Sequence, residues 1–316
     1  MARTRRLQSD PLIFFSALGF ILVFVAATLA FGDQARETYA AVSGWLMDHF
    51  TWLYVGGVSA TLIFLIVVFV SRYGNLRLGD DDDEPEYSYP VWFAMLFAAG
   101  MGATLMFWGA AEPLNHAYNP PRGGYDSMSR DAIIQAFQFT YYHFGIHMWV
   151  IFTLPGLAVG YFVYKRKMPA RMSSMFSPLL GGRVYDTPGK LLDALGIIGT
   201  VFGLAVSVGL GVLQISAGMN ILWDVPLVTP VQIGIICAIT IAASISVATG
   251  LDKGVKILSN LNIAGTILLM IFVLFTGPTL KLLGQITESV GIYAQSLPEL
   301  MFWVDSYNDN PGWHAT

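Results

Sequence analysis

The sequence has few charged residues and a single cysteine. Charged side chains make up 12% of its 316 residues, about half of the roughly 25% typical of soluble proteins. Cys237 alone excludes an internal disulfide framework and a cysteine-rich zinc site, and a net charge of −4 argues against nucleic-acid binding. Hydrophobic residues make up 55% of the chain. Because a soluble fold cannot bury that much apolar surface, the composition predicts a polytopic membrane protein.

Long runs without charged residues predict seven transmembrane helices. None of these runs shows the alternating pattern of a barrel strand, so the predicted fold class is all-α. Each run exceeds the roughly 20 residues that cross the hydrocarbon core. The first is also longer than the core of a cleaved signal peptide, so we expect it to be retained. The runs are Pro11–Gly32, His49–Ser71, Tyr87–Ala111, Ala132–Tyr164, Ala194–Trp223, Val225–Leu251 and Ile257–Leu280.

The distribution of basic residues predicts a cytoplasmic N-terminus. With the N-terminus inside, 13 of the 17 Lys and Arg residues fall in cytoplasmic segments, as the positive-inside rule requires. The acidic run at residues 80–86 is then a solvated cytoplasmic loop. Apolar residues at helical spacing, including Ile286, Val290 and Tyr293, predict a short amphipathic helix over residues 285–303 on the outer membrane face.

The third run contains two glycines near its middle, Gly100 and Gly102. Glycine weakens a helix, and unwound backbone at membrane depth is tolerated where it lines a cavity or is buried in protein. Transporters use such breaks to meet substrates and ions. Close helix packing through small residues is the alternative interpretation.

The fourth and fifth runs contain further candidate binding residues. On the helix predicted for the fourth run, Phe144, Met148, Trp149 and Phe152 lie within one arc, where aromatic faces could attract a cation; packing or membrane-interface aromatics are the alternative. In the fifth run, the hydroxyls of Thr200 and Ser207 either bond back to their own helix or face a cation.

Three other ionisable residues are interpreted structurally. His143 and His147 have the i, i+4 spacing of metal ligands, but no third ligand is evident, so an interior histidine pair is the preferred interpretation. Glu112, before Pro113, is interpreted as a polar outer helix end rather than a proton carrier.

Several motifs together resemble the betaine–choline–carnitine transporter family. The most specific is Gly100-Met101-Gly102 followed by LMFWGAAEPL at residues 105–114. HFGIHMW at 143–149, the glycine-rich stretch at 199–220 and LSNLN at 258–262 extend the resemblance over nearly the whole chain.

The resemblance implies a fold of twelve helices, in which helices three to twelve form a LeuT-type pair of inverted five-helix repeats. Residues 1–86 would supply the tail, two peripheral helices and the acidic loop, and residues 87–284 the first repeat. Residues 285–316 would be the connector to a second repeat that is absent, so a truncated chain is expected.

The resemblance also implies a binding site. Phe144, Trp149 and Phe152 would receive the ammonium group, where the family prefers Trp, Trp and Tyr. The backbone of Gly100, Met101, Gly102, Ala103 and Thr104 would line the substrate path, with Thr104 in place of a third family glycine. For a coupling sodium ion, the candidate positions are Ala98, Met101 and Thr200, with Leu204 in place of a second family hydroxyl.

The sequence therefore predicts a plasma-membrane secondary transporter for glycine betaine, choline, carnitine or a related zwitterionic osmolyte. Symport and exchange both remain open, the coupling ion is undetermined between sodium and protons, and neither a cofactor nor enzymatic chemistry is implied. A homotrimer is one assembly to be tested, because family members often form trimers. The alternatives are a half-chain that pairs with another subunit, a channel, and a metal-dependent membrane enzyme.

Overall fold

A computed structural model describes residues 10–100, 102–250 and 254–306, and this part of the chain is helical without strands. Ten α-helices are connected by short loops and 3₁₀ or π turns. They are α1 Pro11–Val70, α2 Tyr89–Gly100, α3 Ala103–Tyr118, α4 Arg130–Phe144, α5 Ile146–Gly160, α6 Ser177–Leu180, α7 Thr187–Trp223, α8 Thr229–Ala248, α9 Lys256–Thr276 and α10 Thr279–Leu300.

Five helical segments in the described ranges are long and apolar enough to cross a membrane. They are Pro11–Val70, Arg130–Lys165, Thr187–Trp223, Thr229–Ala248 and Lys256–Thr276. Large apolar side chains along them are solvent-exposed in the isolated chain, as Leu29 at 80% and Phe275 at 72% illustrate. Such a surface is stable only against lipid or another apolar surface. The fold is therefore that of a multi-pass membrane protein, while the count of seven spans stays a prediction.

The first two predicted spans lie in α1, which bends sharply at Gly32. A straight helix of 60 residues would be about 90 Å long, roughly three times the hydrocarbon thickness. Gly32 instead has φ 48° and ψ −115°, a conformation that glycine adopts readily. The ring of Tyr39 consequently stacks on Phe24 at a centroid distance of 4.9 Å. The chain thus turns where the first predicted span ends.

The predicted third span is divided into α2 and α3. Helix α2 ends at Gly100, and Gly102 has extended backbone with φ −80° and ψ −171° before α3 begins. The interruption predicted at the glycine pair is therefore confirmed. Neither half reaches the length of a span by itself.

The predicted fourth span is also interrupted, at Gly145, which was not expected. Gly145 has φ −90° and ψ −136° and separates α4 from α5. A Cβ atom added at this position would clash with the carbonyl oxygen of Tyr141. The single arc drawn through Phe144, Trp149 and Phe152 is therefore wrong, because Phe144 ends α4 whereas the other two residues lie on α5.

The chain forms two compact units. Unit one comprises residues 1–83, 146–203 and 301–316, and unit two comprises residues 84–145 and 204–300. In unit one, α1 packs on α5, and Phe24 meets Phe202 of α7 edge-to-face at 4.7 Å. In unit two, α3 and α10 pack on α4 and α2 packs on α9. The predicted division into residues 1–86, 87–284 and 285–316 stays a prediction.

The acidic loop of unit one is attached to the basic segment after α5. Lys165 Nζ lies 2.8 Å from Asp81 Oδ1, and Lys167 Nζ lies 2.8 Å from Asp80 Oδ2. The hydrogen bond from Lys165 holds the pKa of the Asp81 carboxyl below its usual value, and Asp80 raises the pKa of Lys167. The loop is thus exposed but anchored.

The helix expected over residues 285–303 is present as α10 and begins earlier, at Thr279. Its Tyr293 is buried and stacks on Tyr141 of α4 at 5.9 Å, whereas Ile286 and Val290 are exposed. The apolar side chains of α10 therefore divide into one that packs against α4 and others that are exposed.

Candidate functional site

The break at Gly102 places two opposite helix ends next to each other in unit two. Ala98 lies in the last turn of α2, where carbonyl groups lack intrahelical partners, and Thr104 lies in the first turn of α3, where N–H groups lack them. Gly102 supplies no side-chain cap to α3. The carbonyl end carries partial negative charge and the N–H end partial positive charge. This arrangement can meet a cationic and an anionic group at one place.

The candidate residues of this segment are half-buried where their side chains are described. Ala98, Gly100, Gly102 and Thr104 are each partly accessible. Met101 lies outside the described residues, and Ala103 is described by its helical backbone alone. The accessible backbone at the break is consistent with contact to a solute.

Thr104 is held by a residue of α7. Its Oγ1 atom lies 3.1 Å from Ser207 Oγ, and either hydroxyl could donate the hydrogen bond. The start of α3 is thereby tied to a second helix of unit two. Neither alternative considered for Ser207 had included this partner, because no spacing rule relates residues 103 positions apart.

Trp149 and Phe152 lie together on α5 in unit one. Their ring centroids are 6.1 Å apart with planes inclined by 51°. Trp149 is half-buried and Phe152 is 51% exposed. The pair leaves aromatic surface accessible, which is what an ammonium group requires for a cation–π contact. Phe144 belongs to unit two and is half-buried there.

The hydroxyl of Thr200 bonds back to its own helix, donating to the carbonyl oxygen of Gly196 at 2.8 Å. This is the first of the two alternatives considered for it. Thr200 also lines a cavity of about 780 Å³ in unit one, together with Pro155 and Asp193. Asp193 is buried and accepts hydrogen bonds from the backbone N–H and hydroxyl of Ser173. Sequence reasoning had not identified Asp193.

Glu112 contacts two histidines in unit two rather than acting only as a polar helix end. Its Oε1 atom lies 3.3 Å from His116 Nε2 and 2.5 Å from His143 Nδ1. Glu112 and His116 are i, i+4 neighbours on α3, a spacing that could have indicated this contact. His143 and His147 are not i, i+4 neighbours on one continuous helix, because Gly145 interrupts the helix between them.

Comparisons with known proteins show which family the chain matches. The family model described as "BCCT, betaine/carnitine/choline family transporter" matches residues 12–316. The Ectoine/glycine betaine/proline transporter EctP of Corynebacterium glutamicum is 62% identical over 98% of this chain and 50% of its own length. The Glycine betaine transporter of Acinetobacter baylyi is 36% identical, covering 96% of this chain and 46% of its own. The High-affinity choline transport protein of Escherichia coli K12 is 36% identical, covering 90% and 42%.

The chain spans about half the length of the curated relatives it matches. The names of these three relatives describe transport of ectoine, glycine betaine, proline or choline, and none of the three names describes an enzyme. The family match covers all ten helices except the first residue of α1. This protein therefore belongs to the betaine/carnitine/choline transporter family.

Proposed function

We propose that this chain forms part of a plasma-membrane secondary transporter for zwitterionic or quaternary-ammonium osmolytes, of the ectoine, glycine betaine, choline, carnitine and proline class. The observation that carries the proposal is the helix break at Gly102. A zwitterionic solute has one anionic and one cationic end, and the break exposes N–H groups of α3 beside carbonyl groups of α2. Broken helices of this kind bind both substrates and ions in secondary transporters.

The aromatic pair on α5 supports selectivity for the ammonium group. A methylated ammonium cannot donate strong hydrogen bonds, so an aromatic face is its natural partner. Trp149 and Phe152 offer such a face. The family's preferred tyrosine is replaced by Phe152, so we expect a broader solute range than in a transporter with a complete aromatic cage.

The driving force is proposed to be an ion gradient, with alternating access as the mechanism. The carbonyl groups near Ala98 and Met101 are candidates for holding sodium. Thr200 is a weaker candidate, because its hydroxyl is engaged by Gly196 and Leu204 stands where relatives have a second hydroxyl. Proton coupling and exchange are therefore retained as alternatives, to be separated by experiment.

Transport is proposed for the protein that this chain forms together with a second five-helix repeat, provided by the same gene or by a second chain. In the alternative proposal, the half-chain binds another subunit without transporting by itself. This chain matches about half of the length of each relative, which supports the proposal that transport requires additional sequence. A homotrimer is a further proposal, tested by the mass of the purified complex in detergent.

Uptake of radiolabelled solutes tests the proposal. The full-length gene product is expressed in cells that lack osmolyte transporters, and ectoine, glycine betaine, choline, carnitine and proline are supplied with and without sodium. Accumulation of one or more of these solutes is expected, and collapse by a sodium or proton ionophore identifies the coupling ion. No accumulation of any of the five by a protein detected in the membrane would refute the proposal.

A further inference from the structure

Three side chains of metal-ligating type converge in unit two, away from the break at Gly102. Glu112 and His116 come from α3 and His143 from α4. The potential ligand atoms of all three lie within 4.8 Å of one another. Because two helices contribute, the packing of α3 on α4 creates the cluster, and no sequence spacing predicts it.

The cluster is largely buried, and it brings two imidazole nitrogens to one carboxylate oxygen. Glu112 is 7% exposed and His116 is 1% exposed. Both imidazoles approach the same carboxylate oxygen, Glu112 Oε1, through His116 Nε2 and His143 Nδ1. A cation among the three atoms would use the carboxylate charge and both imidazole lone pairs at once.

We propose that Glu112, His116 and His143 bind a divalent transition-metal ion of the Zn²⁺ class. Two imidazole nitrogens and one carboxylate oxygen form a donor set that suits zinc. A tetrahedral zinc site with bonds of about 2.0 Å has ligand atoms about 3.3 Å apart. Glu112 Oε1 and His116 Nε2 are 3.3 Å apart, whereas Glu112 Oε1 and His143 Nδ1 are 2.5 Å apart, so the carboxylate and the His143 ring would have to move apart to bind the metal. A fourth position is left for water or an added ligand.

The surroundings of the cluster restrict its two rings. Phe139 is fully buried, and its ring centroid lies 5.9 Å from that of His116 and 6.1 Å from that of His143. Arg122 lies on the same phenyl ring at 5.9 Å and forms an ion pair with Glu299 at 2.8 Å. That ion pair offsets the positive charge of Arg122. A bound metal would cross-link α3 to α4. Its role would therefore be structural or regulatory.

Metal binding is tested on the full-length protein, purified in detergent and treated with a chelator. Titration with Zn²⁺ is expected to show one saturable equivalent and a rise in melting temperature. Titration with Co²⁺ is expected to give the visible absorption of a four-coordinate site. Zn²⁺ affinity should fall at least tenfold in Glu112→Gln and His116→Ala. The matched control is His49→Ala, which removes a histidine of unit one and should bind metal normally.

Three results would overturn the proposal: no saturable Zn²⁺ binding, equal affinity in Glu112→Gln and the native protein, or a Co²⁺ spectrum without the four-coordinate signature. Glu112→Gln keeps the size of the side chain and a hydrogen-bond acceptor, so it separates metal loss from misfolding if His116→Ala is unstable. The test does not depend on transport, because metal content is measured on protein whether or not it accumulates solute.

Discussion

Among the described residues, Trp149 and Phe152 are those whose substitution we expect to change solute affinity most directly. Removing the indole in Trp149→Ala should raise the KM for glycine betaine about tenfold, which corresponds to about 1.4 kcal/mol of lost cation–π attraction. Trp149→Phe should retain most of the affinity. Uptake kinetics of the full-length protein measure both values.

The control for this change is Trp45→Ala, since Trp45 is 52% exposed on α1 and stacks on His49 rather than on a candidate site residue. It should leave the KM unchanged. An equal rise in KM for the two alanine variants would show that tryptophan loss acts through general stability.

Gly102 and Gly145 both interrupt helices, yet alanine should affect them differently. At Gly145 a Cβ would meet the Tyr141 carbonyl, so Gly145→Ala should destabilise the protein by about 1–3 kcal/mol, as overpacking does. At Gly102 no atom lies within 4 Å of an added Cβ. Gly102→Ala should therefore fold normally, while the higher helix propensity of alanine, about 1 kcal/mol, favours closing the break and slows transport about fivefold.

Thermal unfolding in detergent and uptake rates measure the two effects separately. The expected pattern is a lowered melting temperature for Gly145→Ala alone and reduced transport with unchanged melting temperature for Gly102→Ala. A lowered melting temperature of similar size in both variants would contradict the assignment.

The attachment of the acidic loop should weaken at low and at high pH. The folded pKa of Asp81 is lowered, so its contribution is complete above the ordinary value of 3.8 and is lost as the pH falls through the folded pKa. The folded pKa of Lys167 is raised, so its contribution is complete below 10.5 and is lost at higher pH. Loop mobility should be constant between these values.

A spin label at Glu84→Cys, in a Cys237→Ser background, reports this mobility. It should rise below pH 3.8, and at neutral pH it should rise in Lys167→Ala. Arg166→Ala removes the neighbouring charge, which forms no side-chain ion pair within the described residues, and should have no effect. Mobility that changes smoothly through neutral pH would disprove the anchoring.

The sequence predicted the elements unevenly. The two glycines alone left a break at Gly102 and close helix packing both open, and the family resemblance favoured the break. The break at Gly145 was missed because a single glycine in such a run is equally typical of helix packing, and the Tyr141 carbonyl that excludes a side chain becomes visible only in three dimensions. The partners Thr104–Ser207 and Glu112–His143 come from different helices. The location of most helical segments could therefore be predicted from the sequence, whereas contacts between helices could not.

For the whole molecule, the distribution of basic residues predicts that both the N-terminus and the acidic loop are cytoplasmic. A cysteine at Asp82 should be unreactive toward a membrane-impermeant maleimide in intact cells, and one at Tyr125, between α3 and α4, should react. The native Cys237 is replaced by serine to remove background labelling. Reaction at position 82 from outside, without reaction at 125, would invert the topology.

The corner at Gly32 has a consequence for how the protein is made. The stacking of Tyr39 on Phe24 joins residues only 15 positions apart, whereas the contact of Phe24 with Phe202 joins residues 178 positions apart. Contacts between near neighbours in sequence form early because little chain entropy opposes them. The end of the first membrane segment can thus pack against the helix that follows Gly32 while the ribosome is still synthesising the rest, and Phe24 is then already in place when Phe202 of α7 is added.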